Sequence, residues 1–337
     1  MRLREAEFNI LQCLRDNQVF ANTRGDVHLL LSGGKDSVAL LELLTSLTHL
    51  QPSWSKLDLR LFLHHFNHKR RGLDSDLDEE HCIDLARRTG HPIETYSWTA
   101  ELEEELTQGI NFHELARRWR YTTVKNFAQT HSQNRDWVIA TAHHRRDHAE
   151  SVLLNLARGC STGGLIGMEP WNRTSKLLRP FLWLESALSD AFISEKNLSH
   201  REDDSNQKTD YSRNKIRHNV IPHMTEVNSK FIEHVWLLSR DLQAQCASTQ
   251  PATVGMAAKN SGIRTDAIHS MDDLQSFITK STQPHSHFLT RSKLSNVLVH
   301  VQKARANPKA AFRYNFALSE QFEIIITAEL IEIKAHS

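Results

Sequence analysis

An apolar run followed at once by two adjacent glycines most constrains what this chain can fold into. Residues 27–31, Val-His-Leu-Leu-Leu, have the composition of a buried strand, and the leucine-rich stretch from Val38 to Leu50 is typical of a helix. The loop between them consists of Ser32, Gly33, Gly34, Lys35, Asp36 and Ser37. The sequence therefore predicts a strand, a glycine loop and a helix in direct succession.

This loop has the features of a phosphate-binding site. Adjacent glycines let backbone N–H groups approach an oxyanion closely, and the positive end of the following helix points at the same place. Ser32 and Ser37 can add hydroxyl donors, and Asp36 is a candidate ligand for Mg²⁺. The spacing is not that of a Walker A loop. The alternative is a glycine turn that binds nothing.

Strand and helix patterns alternate through the first half of the chain. Strands are predicted at 57–64, 93–98 and 137–141, and helices at 74–89, 112–129 and 146–157. This alternation predicts an α/β fold with a doubly wound, mainly parallel sheet, in which ligands bind beyond the carboxyl ends of the strands. The glycine loop and Ala142-His143-His144 both follow such ends.

The pattern changes after residue 182. We predict a first domain over residues 1–182, a helical extension over 183–246 that completes the cleft, and a small C-terminal domain over 263–337. The extension is expected to be helical from Ser212 to about Gln245. In the last domain, Phe322–Ile333 alternates like a strand.

Charge is distributed unevenly along a nearly neutral chain. The net charge is +1, so any surface for RNA must come from local clustering. No Asp or Glu occurs from Leu274 to Ser319. The basic residues of this stretch include Arg291, Lys293, Lys303 and Arg305. The stretch predicts contact with RNA phosphates, and the alternative is a mixed surface whose acids lie elsewhere.

The remaining composition favours a cytoplasmic protein. The four cysteines are far apart and form no CxxC pair, which argues against a structural zinc or a thioredoxin-type centre. The N-terminus has no apolar segment of a signal peptide, and no run of about 18 apolar residues predicts a membrane span.

Several polar residues are candidates for chemistry. Asp147 and Glu150 are three residues apart and share a helix face, where they could grip an ammonium group or a metal; the alternative is that acids favour the first turn of a helix. His143 could orient a phosphate or simply end a strand. Arg117 and Arg120 share a face and could bind phosphate or stay solvated.

The loop resembles the PP-loop of the N-type ATP pyrophosphatases, which split ATP between the α and β phosphates. Further ordered segments lie at 65–72, 111–121, 141–151, 158–159, 164–165, 167–168, 179–180, 204–206 and 213–217. Together, over about residues 25–228, they resemble those of tRNA(Ile)-lysidine synthetases. The sequence departs from the family pattern at His113, Ser151 and Gly163.

The resemblance implies an ATP-dependent C–N ligase that forms AMP and pyrophosphate. It implies ATP and Mg²⁺ at the loop and lysine bound by Asp147 and Glu150. It also implies a catalytic role for four residues, which are Asp36, His143, Asp147 and Glu150. Its partners would be free lysine and an isoleucine tRNA with a CAU anticodon, with a homodimer as a candidate assembly. Contacts to tRNA or phosphate are assigned to Arg71, Arg117, Arg120, Arg213 and Arg217, together with the C-terminal basic stretch.

Three alternatives remain open. A PP-loop tRNA thiolase needs sulfur delivery, against which the scattered cysteines argue unless another protein carries the sulfur. A small-molecule synthetase would not need the basic C-terminal stretch. A non-catalytic RNA-binding protein would not need to keep Asp36, Asp147 and Glu150.

Overall fold

The chain forms two compact units. The structure is a computed structural model that describes residues 2–20, 24–49, 58–107, 110–133, 135–186, 190, 200–201, 212–248, 260–264, 268, 273–274, 277–278, 291–306, 313–317, 322–327 and 329–335. The first unit comprises residues 1–148 and 169–214, and the second comprises residues 149–168 and 215–337. The domain boundaries at residues 182 and 246 stay predictions.

Six strands form the sheet of the first unit. They are β1 (Arg24–Leu30), β2 (Asp58–Asn67), β3 (Ile93–Ser97), β4 (Asp136–Ala140), β5 (Trp171–Asn172) and β6 (Leu177–Leu178). Their spatial order is β3-β2-β1-β4-β6-β5, and all neighbours run parallel except β5 and β6. The predicted doubly wound, mainly parallel α/β sheet is confirmed.

Helices connect these strands much as the sequence predicts. They are α1 (Arg2–Asp16), α2 (Lys35–His49), α3 (Leu73–Thr89), α4 (Ala100–Thr107), α5 (Phe112–His131) and α6 (Arg145–Ala157), followed after β6 by a 3₁₀ turn at Pro180–Trp183. α3 ends at Gly90, which takes the left-handed conformation with φ 73° and donates its N–H to the Ala86 carbonyl.

β1 is the centre of the sheet. Val27 pairs with Leu61 of β2 on one side and with Val138 of β4 on the other, and all three side chains are buried. A parallel strand covered on both faces needs apolar side chains along most of its length, which is why residues 27–31 contain no alternating polar face.

The hairpin of β5 and β6 was not predicted. Its strands have two residues each, which is too short for a periodic pattern to be visible. The turn depends on Asn172, whose Oδ1 accepts hydrogen bonds from the backbone N and the hydroxyl of Ser175 at 2.9 and 2.8 Å. β6 then adds to the sheet beside β4.

The remaining helices are α7 (Thr162–Ile166), α8 (Ser212–Lys215), α9 (Ile221–Val227), α10 (Phe231–Ser248) and α11 (Arg291–Ala306), with a π-helical turn at Ile216–Val220. The helix predicted from Ser212 onward is therefore interrupted after Val227. In the second unit, Ile216, Ile221 and Ile232 pack with Ala149 in a small apolar core.

A separate antiparallel sheet closes the chain. Its strands are β7 (Asn260–Arg264), β8 (Arg313–Ala317), β9 (Phe322–Thr327) and β10 (Leu330–Ala335), in the order β7-β10-β9-β8. Ile324 and Ile331 are buried against Val297 and Val301 of α11, so the alternating pattern near the C-terminus does mark strands. None of the helices in the described residues is long and apolar enough to cross a membrane.

Two hydrogen-bonded histidines lie inside the first unit. His28 Nδ1 lies 3.0 Å from His64 Nε2, and His28 Nε2 lies 3.2 Å from the Ser132 hydroxyl. His64 Nδ1 lies 3.3 Å from the Tyr96 hydroxyl. Burial lowers the pKa of His28 to about 4 and that of His64 to about 3, so both rings are neutral near pH 7.

Acid is therefore expected to destabilise the protein. In the unfolded chain these histidines titrate near about pH 6.5, so between that pH and about 4 the unfolded state binds more protons. The contribution of these neutral rings to the free energy of unfolding is fully present above about pH 6.5. As the pH decreases below that value, the contribution falls by at most about 1.4 kcal/mol per pH unit for each ring. Urea unfolding followed by circular dichroism across this range measures it. The double variant His28→Phe, His64→Phe should show a shallower slope, and an unchanged slope would contradict the assignment.

Candidate active site

Two loops meet at the carboxyl edge of the sheet. β1 lies between β2 and β4, so the chain moves to one side of β1 when it reaches β2 and to the other side when it reaches β4. The connections after β1 and β4 diverge and leave a crevice, which is where ligands bind in sheets of this type. The glycine loop follows β1, and residues 141–144 follow β4.

The glycine loop is braced by its own hydroxyl groups. The buried Ser37 hydroxyl donates to the Gly34 carbonyl at 2.8 Å and lies 3.0 Å from the Ser32 hydroxyl. It also accepts the Ser32 backbone N–H at 3.2 Å. Gly33 has φ 82°, a left-handed conformation that favours glycine, while Lys35 is exposed. The loop thus enters the first turn of α2 in a fixed conformation.

Asp36 lies in this first turn and faces the β4 loop. Its Oδ2 lies 3.7 Å from His144 Nε2. Its Oδ1 is buried and has no hydrogen-bond partner among the residues that the structure describes. Burial disfavours the charged form of His144, but Asp147 and Asp36 outweigh it and raise the pKa of that imidazole. A buried carboxylate oxygen without a donor fits a hard cation such as Mg²⁺.

Asp147 caps α6 and binds an arginine. Its Oδ2 accepts the backbone N–H of His144 at 3.0 Å, as an acid at the third helical position does in a capping box. Its Oδ1 accepts from Arg213 at 3.1 Å. Burial opposes ionisation, but His144, His143 and Arg213 outweigh it and lower the pKa of this carboxyl. The helix-start interpretation of Asp147 therefore holds, and Arg213 adds a charge partner.

Glu150 is held in the second unit by another arginine. Its carboxylate is fully buried and accepts two hydrogen bonds from Arg217, at 2.5 and 3.0 Å. Such a guanidinium compensates the negative charge of the buried carboxylate and donates a hydrogen bond to each of its oxygens. Arg213 and Arg217 are predicted from the sequence to contact tRNA or phosphate, and in the structure each binds a carboxylate. Residues 204–206 lie outside the described residues.

His143 is neutral and surrounded by cationic groups. Its Nδ1 lies 2.8 Å from the Thr141 hydroxyl. Burial, reinforced by Arg179, Arg213 and Arg117, lowers the pKa of His143 to about 3 despite the carboxylate of Asp147. At neutral pH this side chain therefore acts as a hydrogen-bonding group and carries no charge.

Arg179 is a buried cation that sequence analysis did not select as a site residue. Its side chain donates to the Glu169 carbonyl at 2.8 Å, yet its Nε has no partner among the described residues. Burial lowers the pKa of this guanidinium, and Arg117 adds to the effect. The signal was available, because Arg179 is a single charged residue within the apolar run 177–182.

Arg117 of α5 belongs to the same environment, and Arg120 lies three residues further along that helix. Arg117 lies over the Tyr121 ring at 5.1 Å, and Arg120 donates to the Ala116 carbonyl at 3.2 Å. In the described part of the chain, neither these two arginines nor Arg179 forms an ion pair with a carboxylate. Uncompensated guanidinium groups beside a crevice are suited to binding an anion.

The other predicted cations have different surroundings. Arg71 binds the carboxylate of Asp78. In the second unit, Lys303 is exposed on α11, whereas the side chains of Arg291, Lys293 and Arg305 lie outside the described residues.

The sequence matches a known family over most of its length. Residues 4–224 match the profile of a family described as a PP-loop domain. The chain is 31% identical over 274 residues to a tRNA(Ile)-lysidine synthase from Nitratidesulfovibrio vulgaris, covering 78% of this chain and 75% of that protein. It is 33% identical over 198 residues to one from Geobacter sulfurreducens, covering 59% of this chain and 40% of that protein. The chain thus spans less than half the length of the Geobacter protein.

The fold also occurs among solved structures, of which a tRNA-modifying enzyme is an example. The chain superimposes on a U34-tRNA thiolase from Methanococcus maripaludis, solved with its iron–sulfur cluster, with a TM-score of 0.54 and 14% identity. The match covers 75% of this chain and 81% of the thiolase chain. At this identity the likeness shows the fold alone.

The two loop glycines should respond differently to alanine. A Cβ at Gly33 would lie 3.3 Å from Cys82 Sγ on a left-handed backbone, whereas one at Gly34 would meet only the Ser32 hydroxyl at 3.5 Å. We expect Gly33→Ala to lower the free energy of unfolding by about 1–2 kcal/mol. Gly34→Ala, the matched control, should change it by less than about 1 kcal/mol. Equal losses in urea unfolding would mean that the φ of Gly33 is not the constraint.

The Glu150–Arg217 pair should contribute to stability. Glu150→Gln removes the charge that compensates Arg217, whose side chain is 28% exposed. We expect the free energy of unfolding to fall by about 2–3 kcal/mol. This loss is smaller than for a fully buried pair, because the Arg217 side chain is partly exposed to solvent. Glu226→Gln, at an exposed position of α9, is the control and should be nearly neutral. Wild-type stability of Glu150→Gln in thermal or urea unfolding would show that the pair stabilises nothing.

Proposed function

Because the chain belongs to the PP-loop domain family and, within it, to the tRNA(Ile)-lysidine synthases, we propose that it joins lysine to the wobble cytidine of an isoleucine tRNA with a CAU anticodon. In the first step, O2 of the base attacks the α-phosphorus of ATP, and pyrophosphate leaves. In the second, the ε-amine of free lysine loses a proton and attacks C2, and AMP leaves with the former O2. Adenylation is needed because an amide-like carbonyl oxygen is a poor leaving group.

The observation that carries this proposal is the place of Asp36. It combines a buried carboxylate oxygen that lacks a donor with a braced glycine loop at the start of a 15-residue helix. Both lie where the connections after β1 and β4 diverge. Backbone N–H groups of the loop and the helix dipole favour the phosphates of ATP at this point.

Asp36 is the residue that would hold Mg²⁺. The described residues contain no cluster of three His, Cys, Asp or Glu side chains that could hold a metal. One carboxylate completed by phosphate oxygens and water is a normal environment for Mg²⁺. When bound, the ion offsets negative charge on the phosphates. His144 contacts the other oxygen of Asp36 and so limits the orientations of this carboxylate.

The arginines around His143 would receive the phosphoryl group of the adenylated base. Arg179 and Arg117 supply positive charge without a carboxylate partner in the described residues. The neutral ring of His143 can donate one hydrogen bond to this phosphoryl group without repelling the neighbouring arginines. These groups would stabilise negative charge that develops as AMP leaves.

Lysine recognition is assigned to two carboxylates. Asp147 with Arg213 presents a negative and a positive group together, which is complementary to the ammonium and carboxylate of an amino acid. Glu150 with Arg217 presents the same combination in the second unit. The arginines then serve to hold and orient the carboxylates, which is a different role from the tRNA contact expected from the sequence.

Contact with the body of the tRNA is assigned to Arg120 and to the basic C-terminal stretch. Lys303 is an exposed member of that stretch. Arg71 binds the carboxylate of Asp78, and its contact with tRNA or phosphate stays a prediction. A cytoplasmic location and a homodimer stay predictions.

A thiolase is the second candidate, because a thiolase shares the fold. Sulfur transfer through a protein thiol requires an accessible thiolate. Burial raises the pKa of the Cys82 thiol to about 12 and also raises the pKa of Cys13 and of Cys160. These three thiols are poor nucleophiles, which argues against a thiolase that transfers sulfur through any of them.

The test is lysine incorporation. The protein is mixed with isoleucine tRNA transcript bearing CAU, ATP, Mg²⁺ and labelled lysine, and we expect label in the tRNA together with AMP and pyrophosphate. A transcript with the wobble cytidine changed to uridine is the control. No incorporation by folded protein that binds ATP would overturn the proposal.

Asp36→Asn, which keeps the shape of the side chain, should lower pyrophosphate release by about 100-fold or more, since charge compensation on the phosphates is lost. Retention of tRNA on a filter should remain close to wild type. Undiminished turnover would contradict the role of Asp36.

A further inference from the structure

Asp78 is a buried acid that the proposed reaction does not use. It lies on α3 with 8% exposure, and its carboxylate binds Arg71 from the loop after β2 and Arg201 from a distant part of the chain. Arg201 also lies 3.7 Å from the Asp74 carboxylate. A buried carboxylate between two guanidinium groups is a strong fixed point, because moving either guanidinium away would leave the buried negative charge with one donor group fewer. The side chain of Arg201 is thus anchored on α3.

The backbone of Arg201 reaches the glycine loop. Its N–H donates to the carbonyl oxygen of Gly33 at 3.1 Å. A trans peptide is planar and places its C=O and N–H on opposite sides. Because the Gly33 carbonyl faces Arg201, the N–H of Gly34 is turned away from Arg201. This N–H donates to the Ser32 hydroxyl over a long distance of 3.4 Å.

The internal anchor of this peptide is weak, because the hydrogen bond from the Gly34 N–H to the Ser32 hydroxyl is long. Gly33 has φ 82°, and glycine reaches several backbone conformations at little cost, so the Gly33–Gly34 peptide can rotate where a bulkier residue would resist. The hydroxyl of Ser37 fixes the next carbonyl, that of Gly34. The Arg201 N–H fixes the carbonyl of Gly33 itself.

We propose that Arg201 is a positioning residue for the phosphate site. Its salt bridge to Asp78 holds its backbone N–H against Gly33, and this sets the direction of the Gly34 N–H for the phosphates of ATP. The inference rests on the proposed ATP site of the PP-loop but not on the identity of the acceptor base. Arg201 does not itself contact the nucleotide in this proposal.

The test compares ATP affinity among variants of the full chain. Arg201→Met keeps the length and the backbone N–H but removes the anchor on Asp78. Isothermal titration with ATP and Mg²⁺ should give a Kd raised by about tenfold, the effect of one misdirected hydrogen bond. Arg201→Lys keeps the charge and should recover about half of that loss on a logarithmic scale. The matched control is Arg87→Met. It breaks the exposed 2.8 Å ion pair between Arg87 and Asp84, which lie on α3 as Asp78 does, and it should leave the Kd unchanged.

A purely structural role would give a different result. If Arg201 only stabilised the fold, Arg201→Met would lower the urea midpoint while folded protein bound ATP like wild type, and the proposal would be overturned. A raised Kd for ATP with the KM for lysine unchanged supports it. If wild-type protein binds ATP but transfers no lysine, the lysidine proposal fails and the Kd comparison still decides the role of Arg201. If wild type binds no ATP, both fail.

Discussion

The pairing of β1 with parallel neighbours on both edges is the constraint on which the rest of the first unit depends. Val27 and Leu29 bury their side chains at the centre of the sheet, and the chain can turn away only beyond the carboxyl end of the strand. At that point the backbone N–H groups of the next helix lack intrahelical partners. The loop from Ser32 to Ser37 fixes part of this backbone internally and leaves its helix dipole directed at the crevice.

Compensation of buried charge is the second general feature. Asp26 is fully buried and bound by Arg60 and Arg135, and Glu150 is fully buried and bound by Arg217. Native proteins satisfy most buried polar atoms in this way, so the exceptions are informative. In the described residues, Asp36 Oδ1 and Arg179 Nε are two of several buried side-chain atoms without a hydrogen-bond partner. The Asp36 oxygen suits a cation, and the Arg179 nitrogen suits an anion. A site for a metal-bound phosphate compound requires both.

Local patterns predicted the helices and strands that are long enough to show a period. The glycine loop, α2 and the central strands follow from apolar runs broken by glycine, and the acid at Asp147 follows from the rule for helix starts. Patterns did not predict β5 and β6, whose two-residue strands exist only because β4 offers an open edge. They also did not predict the interruption of the helical run after Val227.

The sequence by itself determined the parallel α/β class, the phosphate loop and the family, because these depend on residues that are neighbours along the chain. Only the tertiary structure decided the pairing of charges. Glu150 meets Arg217 across 67 positions and Arg201 meets Asp78 across 123. Such partners are selected by where helices and loops pack, and a charged residue in isolation carries no signal of which opposite charge will lie beside it once both are removed from water.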